Sequence, residues 1–216
     1  MVGPHKRRAC VAYDTASMTG SPAALAAHSR SEYRLVLISL LLAVLFRSAI
    51  FVFWERSHFD ADQAITGLMA KHLAELRALP VFFYGQSYML AVEAWLAAPV
   101  FAIAGASVTA LKLPLLAINM VIAWLLLRGF VREVGLRPRV AAAPALFFAL
   151  AAPGTSARFL EANGGNVEPL LYVLLIWLLR DRPAWCGFVA GIGFLQREFT
   201  IYGVCLLYTS PSPRDS

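Results

Sequence analysis

Two aspartates two residues apart, Asp60 and Asp62, stand in the stretch "HFDADQAITGLMAKHLAELRALPVFFYGQSYM", directly after a long apolar run. Carboxylates in such a place can take a proton from a hydroxyl as general bases. They could equally hold a divalent ion, or pair with Arg56, Arg77 or Arg158. Residues two apart point alike only in an extended segment; at a helix start, one caps and the other projects. A second polar stretch, "GTSARFLEANGGNVEP", carries Arg158, Glu161, Asn163, Asn166 and Glu168. Its acids join the first pair only if the fold puts both stretches on one face.

The composition says what kind of fold that is. Of 216 residues, 59% are hydrophobic and 15% charged, with a mean hydropathy of +0.65. A soluble domain is about 45–50% apolar. The reading is an all-α polytopic membrane protein. The net charge of +6 sits mostly in short loops between apolar runs, so it reports topology and no nucleic-acid partner is expected. Three cysteines lack metal spacing or an even framework, and neither a disulfide nor a zinc site is expected. Residues 205–216, "CLLYTSPSPRDS", back-translate in one frame to a transposase-type sequencing adapter. They are expected to be non-native, the natural chain continuing past Val204. Residues 1–33, starting at Met1 or Met18, read as an uncleaved basic cytoplasmic tail.

Within residues 34–204, the first span is 35–54, preceded by Arg30 and Arg34, so the N-terminus is cytoplasmic. Arg47 lies near its outer end and is expected to snorkel. Residues 62–79 repeat apolar positions at helical spacing and form an interfacial helix. Residues 88–104 contain Glu93 and Pro99, which argue against a plain lipid-facing span. Parity agrees: Arg128, Arg132, Arg137 and Arg139 against the single Glu133 mark a cytoplasmic loop, which falls inside only if 88–104 does not cross. Spans at 108–127, 140–155, 166–179 and 185–204 follow. Both acid-bearing loops then share the outer face of a plasma (inner) membrane, opposite three basic segments.

These residues resemble the GT-C membrane glycosyltransferases, in the branch of protein O-mannosyltransferases and bacterial lipid A or cell-envelope sugar transferases. Asp62-Gln63-Ala64 stands where that family has an Asp-Glu-Ala motif leading an interfacial helix. "LPVFFYGQSYMLAVEAWLAAPVFAIAG" is similar to its second juxtamembrane helix, Glu168-Pro169-Leu170-Leu171 to its second acidic motif, and "GFVAGIGFLQRE" to its Gly-rich span ending in a basic residue, here Arg197. Gln63 departs from the usual glutamate and Glu168 from the usual aspartate. The resemblance covers about residues 47–202 and implies a truncated GT-C-like bundle with a large first outer loop holding juxtamembrane helices.

It also implies an inverting transfer of sugar from a polyprenyl-phosphate donor to a hydroxyl on a lipid, glycan or protein acceptor. Asp62 is the expected base, with Asp60 and Glu168 as further acids. No metal ligand set is assigned, although a divalent cation is compatible with the acids. Arginine suits a phosphate because its planar fork donates twice; Arg197 and Arg77 are the candidates, ahead of Arg47. Asn163, Asn166, Tyr84, Gln86 and Tyr88 are candidate sugar contacts, while a loop turn and an aromatic interface belt also explain them. His58 and His72 read as surface residues. Two other readings stay open: a transporter or flippase of lipid-linked sugars, which favours charges in spans and helices broken at the midplane, and a non-catalytic membrane assembly subunit.

Overall fold

The computed structural model describes residues 22–54 and 59–209, with side chains over 30–54 and 59–205. Glu55, Arg56 and His58, and the tail up to residue 21, lie outside the described residues. The regular elements of the described residues are all helices, and their only β-pairing is an isolated bridge between Phe82 and Leu90.

Helix α1 (Pro22–Ala49) passes directly into a π-helical turn, Ile50–Trp54. That wider turn leaves carbonyls without their usual partners. Helix α4 (Val108–Arg132) supplies donors: Lys112 Nζ reaches Phe51 O at 3.1 Å and Thr109 Oγ1 reaches Val52 O at 3.2 Å. Leu40, Val44 and Ser48 bury one seam of α1 at four-residue spacing, and Ala141, Ala145 and Ala149 bury the matching seam of α5 (Pro138–Ala149). Small side chains on α5 let the two backbones approach closely. The opposite face of α1 is apolar and open, with Phe46 87% exposed.

Helix α2 (Ala61–Ala74) is capped by Asp60, whose Oδ1 accepts the Gln63 N–H at 3.0 Å. It ends five residues short of the expected 79. Leu76 adopts a left-handed φ of 55°, the Arg77 N–H reaches His72 O, and the Leu76 N–H reaches Leu73 O. That paired pattern stops a helix even without glycine. The chain then turns through a short hairpin, in which Phe83 N–H bonds Met89 O. Helix α3 (Val92–Ala104) therefore starts at Val92, not Tyr88. Leu96 and Val100 share a groove with Leu113 to Val121, so α3 lies along the first half of α4 and does not reach its far end.

Helix α4 runs five residues beyond the expected Leu127. It contacts α1, α3, α5 and α7 (Glu168–Leu178) and is the bundle's central element. At its far end Glu133 meets Arg180 at 2.9 Å, and Glu32 meets Arg139 at 3.0 Å. The three basic segments are thereby gathered at one end of the bundle.

The later spans differ from expectation in length. Besides α5 and α7 there are α6 (Pro153–Arg158), α8 (Pro183–Gln196) and α9 (Ile201–Thr209), the last two separated by a 3-10 turn, Glu198–Thr200. At about 1.5 Å per residue, none of these covers a hydrocarbon core of about 30 Å. Among the described residues two helical stretches, Arg30–Trp54 and Val108–Arg132, are long and apolar enough to cross a membrane. The breaks have local causes: Pro153 opens α6, Gly164 and Gly165 turn at positive φ, and Arg197 is extended. Phe159 O accepts from Asn119 Nδ2 at 3.0 Å, which sets the 159–167 loop beside the middle of α4.

Arg47 does not snorkel. Its Nη2 donates to Asn119 Oδ1 at 2.6 Å and its Nη1 to Ser156 Oγ at 3.4 Å. Its guanidinium lies 5.0 Å from the Phe148 ring centroid and 5.5 Å from that of Phe159. A fixed amide and two ring faces hold the charge inside the bundle, in place of the interfacial water expected from sequence.

Candidate functional site

The densest buried polar cluster centres on Glu93, in the first turn of α3. It is only 5% exposed. Its Oε2 accepts the Gly164 N–H at 2.8 Å and its Oε1 the Gly165 N–H at 2.7 Å. Two successive N–H groups turned the same way form a cradle for an anion. Glycine is required at both positions, with φ of 92° and 107°. A Cβ on Gly164 would also run into Met89 Sδ, and one on Gly165 would lie 3.0 Å from Arg197 Cγ.

The other face of this turn holds Arg197. Its Nε donates to Gly164 O at 2.6 Å and its Nη2 to Asn163 O at 3.4 Å. Its Nη1 makes no hydrogen bond among the described residues, and the side chain is half-buried. Thus one peptide turn is gripped through its N–H groups by an acid and through its carbonyls by a cation.

Glu168, the first residue of α7, is 1% exposed. Its Oε2 accepts the Val167 N–H at 3.2 Å, and its Oε1 finds no N–H or O–H donor. The two buried glutamates are close enough that each weighs on the other's ionisation. Burial first, then the neighbouring Glu168 charge, pushes the Glu93 carboxyl well above the usual carboxylate range. The glycine N–H groups oppose that shift without cancelling it. Behind Glu168, the Tyr172 hydroxyl bonds Gln196 Oε1, while Gln196 Nε2, Thr200 Oγ1 and Asn163 Oδ1 are buried without partners.

The structure brings Asn163, Glu168 and Arg197 together, and adds Glu93, Tyr172 and Gln196. Glu93 carries a sequence signal, an acid inside an apolar run, which argues against a span but names no partner. Asn166 is engaged within its own loop: its Nδ2 donates to Arg158 O at 3.0 Å and to Glu161 Oε2 at 3.3 Å. Asp60, Asp62, Arg77, Gln86 and Tyr88 share no hydrogen bond or ion pair with the cluster. Arg77 pairs with Glu75 at 2.9 Å, and Tyr88 is 72% exposed. The Tyr84 hydroxyl meets His72 Nδ1 at 3.0 Å, and the Tyr84 N–H points at Met69 Sδ. The hairpin thereby links α2 to the cluster: Tyr84 touches α2 at one end, and Met89 backs Gly164 at the other.

The two aspartates separate cleanly. Asp60 spends an oxygen on the helix cap, whereas the Asp62 carboxylate is exposed and has no partner among the described residues. Among the described residues no group of three or more His, Cys, Asp or Glu side chains could hold a metal. Both Glu93 oxygens already accept N–H groups, so the glutamate pair offers a cation little beyond Glu168 Oε1. Comparison with protein-family models, with curated proteins and with solved structures gives no match.

Proposed function

We propose that this chain belongs to a membrane-embedded glycosyltransferase that moves a sugar from a polyprenyl-phosphate donor to a hydroxyl acceptor on the outer face, with inversion. The observation that carries this reading is the split between the aspartates. A helix cap held by Asp60 leaves Asp62 in the first turn, exposed, and free to accept a proton. The open apolar face of α1 and the gathering of the basic segments at one end support membrane insertion with the N-terminus inside.

In the proposed reaction, the acceptor oxygen attacks the anomeric carbon, its proton passes to the Asp62 carboxylate, and the bond to phosphate oxygen breaks. The leaving polyprenyl phosphate takes up negative charge, which the free edge of Arg197 would meet. Since phosphate is already a good leaving group, orientation and charge compensation are most of what is asked of the protein.

A lipid-linked sugar transporter is the second reading. It is favoured by the break between the short helices α5 and α7, whose loop sits beside the middle of α4, and by Arg47 and Lys112 inside the bundle. Against it, Arg47 and Lys112 already donate to fixed acceptors. Reconstituted full-length protein, given a polyprenyl-phosphate donor with labelled sugar and a mixture of envelope acceptors, separates the two. Label covalently joined to acceptor supports the enzyme; label that only crosses the bilayer, still on its donor, refutes it.

A further inference from the structure

We propose that Glu93 is a positioning residue that acts through Arg197. This rests on the reading of Arg197 as the group that meets the donor phosphate. The path is short and continuous. Glu93 holds the Gly164 and Gly165 N–H groups at 2.8 and 2.7 Å; the same turn presents Gly164 O to Arg197 Nε at 2.6 Å and Asn163 O to its Nη2. Two of the guanidinium's edges are thereby fixed by carbonyls, and Nη1 is left for a ligand.

The geometry admits little slack. Met89 closes the space on one side of the turn and the Arg197 stem lies against the other, so the turn cannot shift without moving the arginine. Glu168 stands beside Glu93 as the second carboxyl of a buried pair. The Arg197 cation lies on the far side of the same peptide turn. Arginine is useful to a phosphate only when its planar fork is pre-oriented. Glu93 supplies that orientation without touching the donor itself.

A carboxamide at position 93 can accept one of the glycine N–H groups but turns a donor towards the other. Glu93→Gln therefore lets the turn, and Arg197 with it, swing away. The test is a double-mutant cycle on full-length protein in nanodiscs, titrated with farnesyl phosphate, with farnesol and empty nanodiscs as blanks. Glu93→Gln is expected to weaken farnesyl phosphate binding about tenfold and Arg197→Ala about thirtyfold, the loss of one to two charge-assisted hydrogen bonds. In the Arg197→Ala background, Glu93→Gln should then change nothing further, because the two act as one unit. Thermal unfolding accompanies each variant. If Glu93→Gln does not fold, Glu93→Asp, which keeps the carboxyl but is one methylene shorter, closes the same cycle. Additive losses, unchanged binding in the Glu93 variant, or a wild-type protein that does not bind farnesyl phosphate would each overturn the proposal. A wild-type protein that shows the predicted cycle yet transfers no sugar supports Glu93's role and removes only the glycosyltransferase reading.

Discussion

Glu93 and Gly165 lie 72 positions apart in the chain, yet the Gly165 N–H meets the Glu93 carboxylate at 2.7 Å. This bond and its twin at Gly164 join the first turn of α3 to the loop leading into α7, across the middle of the bundle. The Glu93 carboxyl is held well above its ordinary value of 4.5, by burial and then by Glu168. An acid whose folded value is raised binds more protons in the native than in the unfolded state. Its contribution is therefore present at low pH and is lost as pH rises from about 4.5 through the folded value. Global stability in detergent should therefore fall as pH climbs through that window. Glu93→Gln, which does not titrate, should flatten the fall. Wild-type stability that holds constant or grows over the same range would contradict a raised Glu93 carboxyl.

Asp60 and Asp62 are expected to respond differently to the same change. Asp60→Ala removes the oxygen that accepts the Gln63 N–H and should cost about 1 kcal/mol, the usual loss of a helix cap. Asp62→Ala, at an exposed first-turn position, should change stability by less than about half that, through the helix dipole alone. Denaturation of both variants in the same detergent measures the difference. Equal losses would mean that both aspartates serve the helix.

At Arg47 the amide should matter more than the cation. Asn119 donates to Leu115 O and Phe159 O and accepts from Arg47. Asn119→Leu would strand a buried guanidinium N–H and a loop carbonyl together, at a cost of about 3 kcal/mol or more. Arg47→Met keeps the apolar contact with Phe148 and Phe159 and strands only Asn119 Oδ1, so its cost should be about half as large. Chemical denaturation ranks the two; a larger loss for Arg47→Met would show that the charge itself holds the bundle.

The all-helical architecture was legible because long apolar runs leave no other way to satisfy the backbone. So was the division of Asp60 and Asp62 into one cap and one projecting acid, which follows from helix geometry, although which aspartate caps is decided only by where the helix starts. Span lengths were not, because hydropathy does not register where a positive-φ glycine pair or an extended Arg197 interrupts the backbone. Arg47 was misplaced for a related reason. Its partners Asn119 and Ser156 are 72 and 109 positions away, and no local pattern predicts an amide waiting inside the bundle. Glu93 was visible as an acid in an apolar run, but its role depends on Gly164 and Gly165, which look like an ordinary turn until the carboxylate is placed beneath them.

The proposed base is tested most directly by turnover in Asp62→Asn. The amide preserves shape and cannot take a proton, so structure should survive while chemistry does not. In full-length protein, with labelled polyprenyl-phosphate sugar as donor, transfer should fall by a hundredfold or more, roughly the general-base contribution, with donor binding unchanged. Asp60→Asn, which keeps an oxygen for the cap, should stay near wild type. Near-native turnover in Asp62→Asn would contradict the assignment and leave the exposed carboxylate without a catalytic role.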